Sequence, residues 1–429
     1  MKNNLSRFLL TAAVAVALAL TLSTAVWAVD KQSTLYGFKG KADGGNPYSG
    51  LIADSAGNLY GTTYDGGISC PSLKTCGTVF ELSPSSSGSW TETVLYSFSG
   101  GADGAAPEAG LVFDAHGNLF GTAYAGGGST ACEVGCGTVF ELSPNSNGWT
   151  ETTLYQFQGG STDGQYPLGS LIFDGSGNLY GTAFLGGVNG GGILYELSPN
   201  STGGWTKTTL YNFTFNQGIY PQNGVIMDSA GNLYGTLSQG GSTANNCSNG
   251  GCGTVFRLSK TSTGWRFGLL YMFQSPGGLQ PHGGLVFDAA GNLYGTNFFG
   301  GKTTCTETCG TVFELSPTTQ GQWKLTLLHS FTGGSDGSHP PSTLIIDSAG
   351  NLYGTSFGPP STVFRISPAP SGGWQFEVLA TLSNASVYYN TAPLLRDAAG
   401  NLYGAADFGG STLCKDGCGL VYELSPITN

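Results

Sequence analysis

Charge is scarce in this chain. Asp, Glu, Lys and Arg make up only 10% of its 429 residues, and 15 Lys and Arg stand against 26 Asp and Glu, a formal net charge of −11. Basic residues never cluster. That argues against nucleic acid or an anionic lipid surface as partner, because both need Lys and Arg to neutralise phosphate. Histidine is rare, at 4 residues. A Ser–His–Asp arrangement, a phosphate-cradling glycine loop between strand and helix, and a histidine cluster spaced for a metal are all absent as motifs. No cofactor and no metal site is therefore expected. Beyond residue 28 no apolar run approaches the roughly 20 residues that a membrane helix needs.

The one long apolar run is at the start. Lys2 and Arg7 precede the mostly apolar residues 8–22, and Val26-Trp27-Ala28 offers a small-residue cleavage site, so residues 1–28 read as a secretory signal. An uncleaved anchor is the alternative, although fifteen residues of core are short for a span. No Cys follows that core, which argues against a lipid anchor, and no sorting tail follows Val421-Tyr-Glu-Leu424. The expected product is a secreted monomer, extracellular or periplasmic, with a net charge near −13 once Lys2 and Arg7 are removed.

Glycine is abundant, at 72 residues, and signals turns and β-structure rather than helices. Disorder is excluded because the 39% of apolar residues recur in register, enough to bury a core. The register is set by Asp174-Gly-Ser-Gly-Asn-Leu-Tyr-Gly-Thr182 and its near-copies at Asp54, Asp114, Asp228, Asp288, Asp347 and Asp397, spaced by 50 to 60 residues. Each reads as strand, tight turn, strand. In the second repeat, Gly110-Leu-Val-Phe-Asp114 is strand a, Asn118-Leu-Phe-Gly-Thr-Ala-Tyr124 is b, Gly137-Thr-Val-Phe-Glu-Leu-Ser143 is c, and Thr150-Glu-Thr-Thr-Leu-Tyr-Gln-Phe157 is d. A four-stranded antiparallel unit repeated seven times predicts an all-β fold, a seven-bladed β-propeller occupying residues 29–429 as one domain.

An open solenoid is the competing architecture. Against it, Ser33-Thr-Leu-Tyr-Gly-Phe38 matches strand d yet precedes the first strand a, while the last repeat ends at strand c. The N-terminal strand should complete the last blade and remove the exposed edges; a solenoid would need distinct caps.

All ten cysteines fall in close pairs at one place in the repeat: Cys70/Cys76, Cys132/Cys136, Cys247/Cys252, Cys305/Cys309 and Cys414/Cys418. Repeats three and six lack both members, never one. Five local disulfides are expected, with zinc as the rival; no His lies near the pairs.

The series Gly-x-Asp-Gly-x-x-Pro, Gly-Leu-x-x-Asp, Gly-Asn-Leu-Tyr-Gly-Thr, Gly-Gly and Gly-Thr-Val-Phe-Glu-Leu-Ser-Pro resembles the bacterial GloVer tandem repeat of exported "choice-of-anchor" proteins. The resemblance covers the mature chain and implies export, but no activity. The chain departs from that pattern in having no anchor at its end. A weaker likeness, confined to the Asp-x-x-Gly-Asn-Leu-Tyr turn, is to NHL and gluconolactonase-like propellers, some of which are enzymes.

Candidate residues follow from the frame. The seven turn Asp residues invite a calcium reading, but one carboxylate per blade suits turn capping better. Trp90, Trp149, Trp205, Trp265, Trp323 and Trp374 open strand d; they either stack on sugars or cover the c–d hairpin and brace the neighbouring blade. Variation is concentrated around the Pro of the d–a connection, which should border the channel mouth. Tyr48, Glu108, Tyr166, Tyr220, Gln222, Gln280, His282 and His339 lie there and form the candidate ligand site. Arg396, replacing an apolar or small residue of strand a, is expected to face the channel. Aromatic and neutral polar groups suit a non-catalytic binding module for an extracellular glycan, peptide, protein or envelope component; an enzyme of lactonase or lyase type acting at the channel mouth, or a structural or adhesive surface protein, are the alternatives.

Overall fold

The structure, a computed structural model, describes residues 31–426 apart from 71–75, 244–246, 248–249, 306–307, 383–391, 412 and 415–416; the expected signal lies outside this range. Seven four-stranded antiparallel sheets form a seven-bladed β-propeller. Blade two is typical, with a at Val112–Phe113, b at Leu119–Ala123, c at Thr138–Asn145 and d at Gly148–Gln156. Lys31–Gly37 pairs antiparallel with Leu420–Ser425, so the N-terminal strand supplies strand d of blade seven.

Closure is also visible in the core. The described residues bury seven hydrophobic clusters, each built across the boundary of two neighbouring blades. An open row of seven blades has only six boundaries. The seventh cluster joins Phe38, Cys418 and Val421 to Leu51, Leu59 and Phe80 of blade one.

The repeated motif is a self-contained network. Asp54 Oδ1 accepts hydrogen bonds from the backbone N–H groups of Ala56 and Asn58, and Oδ2 accepts from the Asn58 amide and the Tyr60 hydroxyl. All seven turn Asp residues hold the following Asn in the same two ways. Partial burial works to raise the Asp54 carboxyl, but the hydrogen bonds outweigh it and the net displacement is downward. These carboxylates are committed to turns.

The Gly-Thr that follows has two jobs. A Cβ on Gly121 would sit 2.6 Å from the Phe140 ring, so only glycine lets the aromatic residue of strand c lie flat across strand b. Thr62 donates to the Ala109 carbonyl of the next blade, as Thr122 does to Pro167 and Thr182 to Asn223. Strand a is shorter than the sequence suggests, two residues per blade. Its first half leaves the ladder to bond sideways: the Gly110 N–H reaches Ser170 Oγ at 3.0 Å.

The tryptophans brace. Trp90, Trp205, Trp265 and Trp374 meet Tyr403, Phe120, Tyr180 and Tyr294 of the preceding blade edge-on, at 5.7–6.4 Å between ring centres. Arg396 does not face the channel. Its guanidinium lies 5.8 Å from the centre of the Tyr353 ring in blade six, where a cation finds an aromatic face.

Candidate functional site

The d–a connections and the b–c loops share one end of the propeller. All five disulfides have formed in those b–c loops, with Cα separations of 5.1–5.4 Å. Beside them, the residue before each Pro holds a left-handed backbone: Asn46, Ala106, Tyr166, Tyr220, Gln280 and His339 have φ between 52° and 65°. None is glycine, and such a conformation costs on the order of 1 kcal/mol per residue.

What holds them is a two-sided clamp. Their N–H groups donate to the carbonyls of Cys418, Cys76, Cys136, Gly191, Cys252 and Cys309 in the preceding blade. Their carbonyls accept from the residue just past strand b of their own blade: Tyr64, Tyr124, Phe184, Ser238, Phe298 and Phe357. The second cysteine of each disulfide thus anchors the connection entering the next blade.

The left-handed turn separates the two sides of the Pro. Residues after it point to the axis, where Tyr48, Glu108, Leu168, Gln222 and Pro341 line a cavity of about 330 Å³ together with Ser49, Ser170, Asn223, Ser342 and Thr343. Residues before it turn outward onto the ring past strand b. Tyr166 stacks on Tyr124 at 4.6 Å and Tyr220 packs on Phe184 at 5.1 Å. Of the eight candidates, Tyr48, Glu108 and Gln222 meet at the cavity. His282, although it follows its Pro, stacks on Phe298 at 4.6 Å, and Phe298 also packs on His339 at 5.0 Å. Gln280 is held by its backbone clamp.

Sequence reasoning passed over Tyr64, Tyr124, Phe184, Phe298 and Phe357. They occupy one register position, five residues after the Leu of Gly-Asn-Leu, in five of seven repeats. That recurrence was the available signal. With Tyr48, Tyr166, Tyr220, His282 and His339 they surround the mouth with half-buried rings.

Two groups here titrate far from their ordinary ranges. Burial pushes Glu108 up to about 7 and His282 down to about 4. The folded state therefore holds the Glu108 proton more tightly than the unfolded chain, and this contribution to stability is lost as pH rises from the ordinary value of 4.5 through 7. His282 acts with the opposite sign, gaining stability as pH rises from about 4 toward 6.5. Glu108→Gln isolates the first effect. At pH 5 the variant should match the wild type; at pH 8 it should be more stable by roughly 2 kcal/mol in urea unfolding. Equal differences at both pH values would show that the carboxyl is ionised and solvated throughout.

The fold has solved relatives. A crystal structure of a protein from Lactobacillus plantarum superposes with a TM-score of 0.51 at 15% identity, covering 81% of this chain and 87% of that one, a likeness of fold alone. No curated protein matches the sequence. The Gloeobacter/Verrucomicrobia repeat matches residues 21–248, 130–358 and 241–429, overlapping spans that leave almost nothing of the chain uncovered. The chain belongs to the Gloeobacter/Verrucomicrobia repeat family.

Proposed function

We propose that the chain is an exported, single-domain, non-catalytic binding propeller that takes a glycan at the mouth lined by its d–a connections. The observation that carries this reading is the ring of half-buried aromatic side chains around a cavity lined, apart from Glu108, by neutral polar and apolar groups. Aromatic faces stack on the apolar faces of sugar rings, and Ser, Thr, Asn and Gln side chains supply directed hydrogen bonds. The clamped left-handed turns hold the rings before a ligand arrives, which lowers the ordering cost of binding. Five disulfides support an oxidising compartment, and residues 1–28 would direct the chain there. Among the described residues no helix is long and apolar enough to cross a membrane.

The test is a glycan array with the mature protein and a Tyr166→Ala/Tyr220→Ala/His282→Ala variant of unchanged melting temperature. The variant should lose at least tenfold in affinity for any glycan captured. If binding ignores those three changes and Trp149→Ala or Trp205→Ala abolishes it, the site is on the opposite end.

A lactonase or lyase is the second reading, and Glu108 favours it: a carboxyl held near neutrality is suited to moving a proton. Incubating captured glycans with the protein and analysing them for cleavage separates the two.

A further inference from the structure

At Glu108 the site stops being neutral. Its side chain borders the central cavity, and the other polar lining side chains, Ser49, Ser170, Gln222, Asn223, Ser342 and Thr343, carry no charge. The four ion pairs among the described residues all lie elsewhere. No Lys or Arg offsets its burial. Tyr48, Tyr64 and Tyr124 each feel its charge; Tyr48 also feels Asp407 and Asp65, and Tyr64 feels Asp65, so the neighbouring acids add to the negative potential at the mouth. Tyr48 and Tyr64 meet edge-to-face at 5.5 Å.

An unpaired carboxylate among aromatic rings is the complement of an organic ammonium group. The carboxylate supplies the counter-charge, and the rings supply quadrupoles that attract a cation while tolerating its carbon substituents. A divalent metal ion is best held by several converging carboxylates, and the described residues contain no group of three or more His, Cys, Asp or Glu that could hold one. The chain's net charge of −11 further favours a cationic ligand.

We propose that the cavity at Glu108 takes a primary ammonium group, and, resting on the glycan reading above, that the preferred ligands are sugars with a free amine. The amine donates hydrogen bonds to the Glu108 carboxylate while neighbouring sugar rings occupy the aromatic ring outside. Binding requires Glu108 to be ionised, so it releases a proton below pH 7 and weakens as pH falls.

Calorimetric titration of the mature protein with glucosamine oligomers, N-acetylglucosamine oligomers and glucose oligomers of equal length tests this. At pH 7.5 the free-amine oligomer should bind at least tenfold tighter than the other two. That preference should shrink at pH 5.5 and vanish in Glu108→Gln, which retains the side-chain volume and removes only the charge. Equal affinity for the amine and acetylated forms, or a preference that survives Glu108→Gln, would overturn the ammonium proposal while leaving the glycan reading intact. If no sugar binds but methylammonium chloride does, and Glu108→Gln abolishes that binding, the ammonium subsite stands and the glycan reading fails. If methylammonium also fails to bind, the ammonium proposal is refuted.

Discussion

Removing residues 31–38 should leave a protein that no longer folds cooperatively, because the loss falls at the one boundary that closes the ring. Strand Lys31–Gly37 makes the whole outer ladder of blade seven, from Lys31 opposite Ser425 to Gly37 opposite Leu420. It also delivers Leu35, Tyr36 and Phe38 to the cluster that joins blades seven and one; Phe38 is fully buried and packs edge-on against Phe80 at 5.1 Å. Burying such side chains is worth about 1.5–3 kcal/mol each. The total is comparable to the 5–15 kcal/mol that stabilises an ordinary domain. Strand Leu420–Ser425 would also become an exposed edge, a template for aggregation. The check is a thermal melt with size-exclusion chromatography of the truncated chain. A monomer melting within 2 °C or so of the parent would mean that the seam is dispensable.

The second large effect concerns a single buried ion pair. Lys207 Nζ lies 2.6 Å from Asp163 Oδ1, and both side chains are less than a tenth exposed. Asp163 has other donors, the Tyr155 hydroxyl and the N–H groups of Gln158 and Gly164. Lys207 has Thr209 Oγ1 as a further acceptor, and the Tyr155 ring 5.8 Å away. The two partners are therefore unequal. Asp163→Ala strands a buried ammonium and three donors and should cost about 4 kcal/mol, whereas Lys207→Met leaves the carboxylate hydrogen-bonded and should cost about half as much. Chemical denaturation of both variants measures the difference; equal losses would mean that the carboxylate depends on Lys207 as much as the reverse.

Blade one carries the converse arrangement. Glu92 takes the place of Lys207, and burial first, then the charge of Asp43, push its carboxyl up to about 7. Glu92→Lys should accordingly stabilise the boundary of blades seven and one, as Lys207 does with Asp163 two blades away, and a raised midpoint in chemical denaturation checks it.

The architecture was legible because seven copies of one motif average out local ambiguity. Asp54 and its six equivalents cap turns, the tryptophans brace neighbouring blades, the cysteines pair within repeats, and the N-terminal strand completes the last sheet, all as the residues implied. The site was less legible. Sequence placed both flanks of each Pro in one group, since alternation along a strand gives no warning of a left-handed residue between them. Only the φ of Ala106 or Tyr166 separates the residue that lines the cavity from the one that stacks outside it. Arg396 misled because an arginine in place of an apolar or small residue of strand a was expected to face the channel, whereas two residues of that strand form the ladder and Arg396 reaches a tyrosine of the adjoining blade.

The clamped positions before each Pro have a consequence for descent. Asn, Ala, Tyr, Tyr, Gln and His occupy one backbone geometry around a single mouth, and their N–H and C=O groups, not their side chains, make the contacts that fix it. Each is a slot whose content can change while the backbone clamp is kept, provided the newcomer has an N–H and tolerates a positive φ. A lineage built on this repeat can therefore rewrite its ligand preference one blade at a time, while duplication of blades conserves the frame that displays it.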